Sequence, residues 1–207
     1  MSAKIYLHSG DLPDGVDFGA AVAVDTETLG LNPERDRLCL VQLSAGDGRA
    51  HLVQFSGEDY GAPNLRRLLG DVGCVKIFHY ARFDLAVLSR WLGVRCEPVW
   101  CTKVASKIAR TYSERHGLKD LCEELLGVKI NKSQQSSDWG AGDLSDAQRQ
   151  YAANDVLYLH RLREVLAEML KREGRDVLAR ECFNFLPTRA RLDLLGWNDD
   201  DRDVFKH

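Results

Sequence analysis

No stretch of this chain of 207 residues approaches the roughly 18–20 consecutive apolar residues needed to span a bilayer. The opening MSAKIYLHSGDLPDG lacks the basic-then-apolar order of a secretory signal. Both absences lead to the expectation of a cytoplasmic protein with no membrane partner. No C-x-x-C pair occurs: Cys39, Cys74, Cys96, Cys101, Cys122 and Cys182 are scattered, and no Cys/His cluster has zinc-ligand spacing. The six read as reduced, mostly buried thiols. Repeats, low-complexity tracts and flexible linkers are missing as well, so no boundary divides the body of the chain.

An excess of positive charge is also lacking. The net charge is -3, whereas a protein gripping a long duplex carries a broad basic face. Distribution matters more than the sum. Residues 193–207 hold Asp193, Asp199, Asp200, Asp201 and Asp203 against Arg202 and Lys206; taking these from the 31 acidic and 28 basic residues leaves 26 of each. Residues 100–119 carry Lys103, Lys107, Arg110, Arg115 and Lys119 against Glu114 alone. Such a patch suits a short, single-stranded ligand.

What is present is the make-up of a globular domain, 44% hydrophobic and 29% charged, in a chain long enough for one sizeable α/β unit. The first half reads as strands. Ala21–Asp25 is a short apolar run ending in acid, Leu38–Leu43 is another, and Ala50–Val53 pairs with it across the turn Ala45–Gly48. A helix over Asn64–Leu69 precedes a fourth strand, Val75–Phe78. The second half changes period. Leu85, Leu88, Trp91 and Leu92 recur at helical spacing before Gly93; Val104 and Ile108 mark a second helix, and Leu118, Leu121, Cys122 and Leu125 a third, stopped by Gly127. From Ser145 the pattern is helical almost to Leu195, and Ser145 with Gln148 has the form of a capping box.

The chemistry lies in a few acids. Asp25 and Glu27 are two apart at the end of a strand, so both face one way and can meet one cation. Without a counterion, two acids side by side would be costly to bury. Asp84 follows a strand and opens a helix, a position where an acid also complements the helix dipole with no further role. Tyr151 and Asp155 are four apart, which puts phenol and carboxylate on one helical face. Tyr158 lies off that face and reads as a packing residue.

The order D-x-E after a strand, H-x-x-x-F-D (His79 to Asp84) after a later strand and Y-x-x-x-D on a late helix resembles the DEDD 3′–5′ exonucleases, which have a ribonuclease H-like (DnaQ-like) fold, a mixed sheet flanked by helices. The tyrosine four before the last acid matches the DEDDy branch that includes ribonuclease D; the histidine branch would need His where Gln150 stands. The segments Asp25–Leu31, Lys76–Asp84, Cys101–Lys107, Gln134–Trp139 and Leu194–Trp197 resemble the small nanoRNase C group over nearly the whole chain. Ribonuclease D itself carries additional C-terminal helical modules, and here 52 residues follow Asp155.

This resemblance implies a single exonuclease domain over residues 1–192, an acidic tail over 193–207 and two divalent cations, Mg²⁺ or Mn²⁺. Asp25, Glu27 and Asp155 are implied to hold one ion, with Asp25 and, through water, Asp84 on the other; Tyr151 is implied to orient the attacking water. For substrate binding it points to Leu31 as a wedge between two bases, though an ordinary core leucine is the alternative. His79 and Arg82 beside the phosphodiester, Lys103 and Lys107 as a cap on a 5′ phosphate, and Gln135 at the cleft border complete that set. A packed or solvated role is the alternative for His79 and Arg82, and a solvated helix face the weightier alternative for Lys103 and Lys107. The expected substrate is very short single-stranded RNA, dinucleotides above all, and the expected assembly is a homo-oligomer, an octamer in that group, with Trp197 and Phe205 as docking residues. Trimming of structured RNA 3′ ends in the manner of ribonuclease D, or RNA binding by an inactive nuclease fold, are the competing readings.

Overall fold

The computed structural model describes residues 3–57, 59–130, 134, 137–197, 202 and 204; Gln135 and Phe205 lie outside them. Among the residues described, six strands, β1 (Lys4–Ser9), β2 (Ala21–Thr28), β3 (Leu38–Ser44), β4 (Arg49–Gln54), β5 (Val75–Phe78) and β6 (Val99–Cys101), form one mixed sheet in the order β1-β4-β3-β2-β5-β6. The central β2-β3-β4 ladder is antiparallel; β1 adds to β4, and β5 and β6 add beyond β2, all in parallel. Among the described residues, seven helices follow or interleave: α1 (Pro63–Gly70), α2 (Ala81–Leu92), α3 (Thr102–Ala109), α4 (Leu118–Leu126), α5 (Asp146–Leu157), α6 (Leu159–Arg172) and α7 (Asp176–Leu194). None of the helices among the described residues is long and apolar enough to cross a membrane.

The residues of β3, LCLVQLS, are buried at every position, because both faces of this strand are covered. Alternation sends Val41 and Leu43 into the large core. Leu40 joins a smaller cluster with Leu52, Trp139, Leu144, Tyr151 and Ala152, roofed by α5. Helix ends are set locally. Gly93 and Gly127 take left-handed backbone angles (φ 62° and 68°) just past α2 and α4. Ser145 and Gln148 close both halves of the expected capping box and so define where α5 begins.

Two strands escape the sequence patterns. β1 is half-exposed at the sheet edge, and β6 is three residues long. The expected near-continuous helix from Ser145 to Leu195 is broken at Tyr158 and again at 173–175, giving α5, α6 and α7. Lys76, quoted above as part of a motif, is wholly buried; its ammonium donates to the carbonyls of Asp71 (2.6 Å), Cys74 (2.7 Å) and Glu97 (2.6 Å), tying the loops on either side of β5 together.

Candidate active site

At the C-terminal end of β2, Asp25 and Glu27 point to the side covered by α5; their partners across the ladder are Gln42 and Leu40. The register shifts between Glu27 and Thr28, an irregularity directly after the second acid, before the strand ends at Thr28 paired with Leu38. From above, α5 presents Tyr151 and Asp155 one turn apart, and the Trp139 ring packs on Tyr151 with centroids 5.9 Å apart. One oxygen from each of Asp25, Glu27 and Asp155 lies within 4.8 Å of the others. Four of the five expected residues, Asp25, Glu27, Tyr151 and Asp155, line a cleft of about 620 Å³. Asp84 is not among the lining residues. Buried in the first turn of α2, it accepts a hydrogen bond from Thr26 Oγ1 at 2.7 Å, and its charge reaches Asp25.

This crowding decides the electrostatics. Burial, then Asp155 and Asp84, pushes Glu27 up to about 9; burial pushes Asp84 up to about 7 against the opposing hydrogen bond from Thr26. Asp25 is also raised well above the carboxylate range, by burial and then by Asp84, Asp155 and Glu27. Three acids whose protons are held so firmly beside the Asp155 carboxylate call for a compensating cation, and hard carboxylate oxygens suit Mg²⁺ or Mn²⁺. Burial, with the charge of Asp155, raises the Tyr151 phenol further above its usual value, so it stays protonated and hydrogen-bonded to Asp155.

The residues expected to meet substrate divide. Leu31 lines the cleft and is 88% exposed, which rules out the core-leucine alternative. His79 and Lys103 also line it. His79 Nδ1 is hydrogen-bonded to the Thr102 hydroxyl at 2.8 Å, and that hydroxyl also lies 3.2 Å from the carbonyl of Phe78, which fixes the ring at the rim. Arg82 and Lys107 are absent from the lining. Arg82 instead grips Asp193 of α7 through Nε (2.5 Å) and a terminal nitrogen (2.8 Å), since it faces away from Asp84 on α2.

Sequence reasoning passed over four side chains. Thr26 and Gln42 hold acids, and Trp139, noted above only as the end of a resembling segment, buttresses Tyr151. Tyr80 lines the cleft with a left-handed backbone (φ 68°, ψ 45°), rare for a bulky residue, and carries Lys103 Nζ 4.1 Å from its ring centre. No local pattern in the sequence marks them; Gln42 faces an acid only through the β2–β3 register.

The sequence profile of a 3′–5′ exonuclease family matches residues 12–171. A ribonuclease D of Gluconacetobacter diazotrophicus is 37% identical over 154 residues, 74% of this chain but 39% of that protein, so the chain spans well under half the length of such relatives. Brucella melitensis NrnC bound to pGG superposes with a TM-score of 0.95 at 56% identity, covering 100% of both chains. The same Brucella protein with bound Mg²⁺ gives a TM-score of 0.92 at 55% identity over 99% of each. With its acids gathered beside a protonated tyrosine and its whole length shared with NrnC, this chain belongs to the 3′–5′ exonuclease family, in the ribonuclease D-like group of DEDD enzymes.

Proposed function

We propose that this chain is a metal-dependent 3′–5′ exoribonuclease that hydrolyses very short oligoribonucleotides, dinucleotides above all, to 5′-mononucleotides. The observation that carries the reading is the trio of carboxylate oxygens of Asp25, Glu27 and Asp155, beside Tyr151, in a cleft rimmed by an exposed leucine. The complex of the Brucella relative with pGG supports the substrate class, and its Mg²⁺ form supports the cofactor. Two divalent cations, Mg²⁺ or Mn²⁺, fit an arrangement in which Asp25, Glu27 and Asp155 hold one and Asp25 with Asp84 serves the other.

When bound, such ions supply the positive charge that activates water and offsets charge on the phosphoryl and leaving oxygens. The protein's own groups do the aiming. Tyr151 is too weak an acid to act as a base near neutral pH. Its hydroxyl donates to Asp155 and keeps a lone pair to accept from the attacking water, lining that water up with phosphorus as the bond to the 3′ oxygen breaks. Leu31 offers an apolar edge for two bases, while Lys103 and His79 offer charge and a hydrogen bond to phosphate. A site that holds both ends of a dinucleotide excludes long RNA by shape. Turnover of 5′-phosphorylated RNAs two to seven nucleotides long tests the reading: the rate falls steeply with length. Equal rates across the series would favour ribonuclease D-like trimming.

The same reading includes a homo-oligomer, an octamer, with the acidic tail after the exonuclease domain at an interface. Leu195 and Trp197 support it, at 58% and 40% exposed. Removing residues 195–207 leaves Asp193 with Arg82 and lowers the mass found by light scattering; an unchanged mass removes the tail from the interface.

A further inference from the structure

We infer that Gln42 is a positioning residue that holds Asp25 in the orientation a cation requires; this deepens the metal-dependent reading and rests on it. Gln42 sits in the middle of β3, wholly buried, directly across the ladder from Asp25. Its Nε2 donates to Asp25 Oδ2 at 3.3 Å, and its Oε1 has no hydrogen-bond partner.

Packing gives no reason for an amide here. The other residues from Leu38 to Leu43 are apolar, and the cluster under α5 is built from Cys39, Leu40, Leu52, Trp139, Leu144, Tyr151 and Ala152. A methionine would fill the same volume without stranding a buried oxygen, and a stranded buried acceptor is destabilising. A polar group kept at such a place has its explanation in what its donor touches.

That contact is with an acid crowded by three others. Asp25 feels Asp84, Asp155 and Glu27, and left to itself its carboxylate would turn away from them. Donors on a carboxylate fix the rotation of its plane. Gln42 supplies one from the neighbouring strand, and the Thr26 backbone N–H supplies another. A neutral donor is what the task calls for. Lysine or arginine at position 42 would compete with the cation, and glutamate would add a further negative charge. Thr26 acts on Asp84 in the same way, with a neutral hydroxyl at 2.7 Å. Outer partners of this kind set ligand orientation, and losing one typically weakens metal binding or activity about 10–100-fold.

The test is Gln42→Met in the full chain, read by melting temperature across a Mg²⁺ titration and by steady-state hydrolysis of a 5′-phosphorylated diribonucleotide. The expected result is a metal-free melting temperature equal to or above that of the unaltered protein. The Mg²⁺ concentration giving half of the thermal shift rises about tenfold or more, and KM for the dinucleotide at saturating Mg²⁺ stays within about twofold. An unchanged Mg²⁺ midpoint overturns the inference. Gln42→Leu replaces the first variant if that one does not fold; failure of both to fold assigns Gln42 to packing and overturns the inference as well. An unaltered protein with neither a Mg²⁺-dependent thermal shift nor Mg²⁺-dependent hydrolysis sinks the parent reading instead.

Discussion

Magnesium binding to this protein should expel protons. Glu27 is held up to about 9 and Asp84 up to about 7, chiefly by burial. At pH 7 the metal-free protein therefore carries about one proton on Glu27 and about half a proton on Asp84. The unfolded chain has already lost both, its carboxylates titrating near pH 4. Without metal, the folded state binds more protons than the unfolded one from about pH 4 to about pH 9, so these acids make stability fall as pH rises across that window. A cation needs them ionised, along with Asp25, whose raised carboxyl adds to the protons released, so its apparent affinity rises at least about tenfold per pH unit between pH 7 and 9, and more steeply below pH 7 where Asp84 must also ionise. His8, His51, His116 and His160 are pulled down by burial and push stability the other way at mildly acid pH, but they cancel when samples with and without Mg²⁺ are compared at one pH. Calorimetric titration with Mg²⁺ in two buffers of different ionisation enthalpy counts the released protons. A count near zero at pH 7, with equal affinity at pH 7 and 9, refutes the reasoning.

Three substitutions probe other parts of the structure. Tyr151→Phe keeps the fold and the Mg²⁺-induced thermal shift but loses most turnover of a dinucleotide, a loss on the order of 100-fold for a group that orients the nucleophile; turnover at the unaltered rate removes Tyr151 from the reaction. Lys76→Met strands the three carbonyls bound by its ammonium and costs about 3 kcal/mol or more in urea unfolding, while activity per folded molecule at 25 °C is kept; a cost near zero shows that the loops do not depend on that clasp. Arg82→Ala removes the staple between α2 and α7 but leaves Asp193 paired with Arg189 at 3.2 Å, so stability falls by about 1–2 kcal/mol and dinucleotide KM holds. A marked rise in KM at unchanged fold would return Arg82 to the substrate.

The acids were legible because strand alternation and helical spacing turn sequence distance into direction. The two periods placed Asp25 beside Glu27 and Tyr151 beside Asp155, the resemblance to the DEDD motifs singled those pairs out as a site, and the capping box marked where α5 begins. Local patterns do not report which face of a helix another helix will cover. That is why Arg82, two residues from Asp84, looked like a substrate group; on α2 those two positions diverge, and α7 claims the arginine. Lys107 was grouped with Lys103 because both lie on α3, yet the cleft reaches only the first turn. The edge strand β1 escaped because its half-exposed KIYLHS gains its hydrogen bonds from β4, some 45 residues away, rather than from a neighbouring turn. Gln42 could be paired with Asp25 only once the β2–β3 register was known.

The capping box at Ser145 has a consequence for how this family member tolerates change in length. It pins the first turn of α5, and Gln148 also donates from its side chain to the carbonyl of Asp138 at 3.1 Å. Each residue added or removed between Ser145 and Tyr151 would swing everything beyond by about 100° around the helix axis. Phenol and final carboxylate would then face β4 or solvent instead of Asp25.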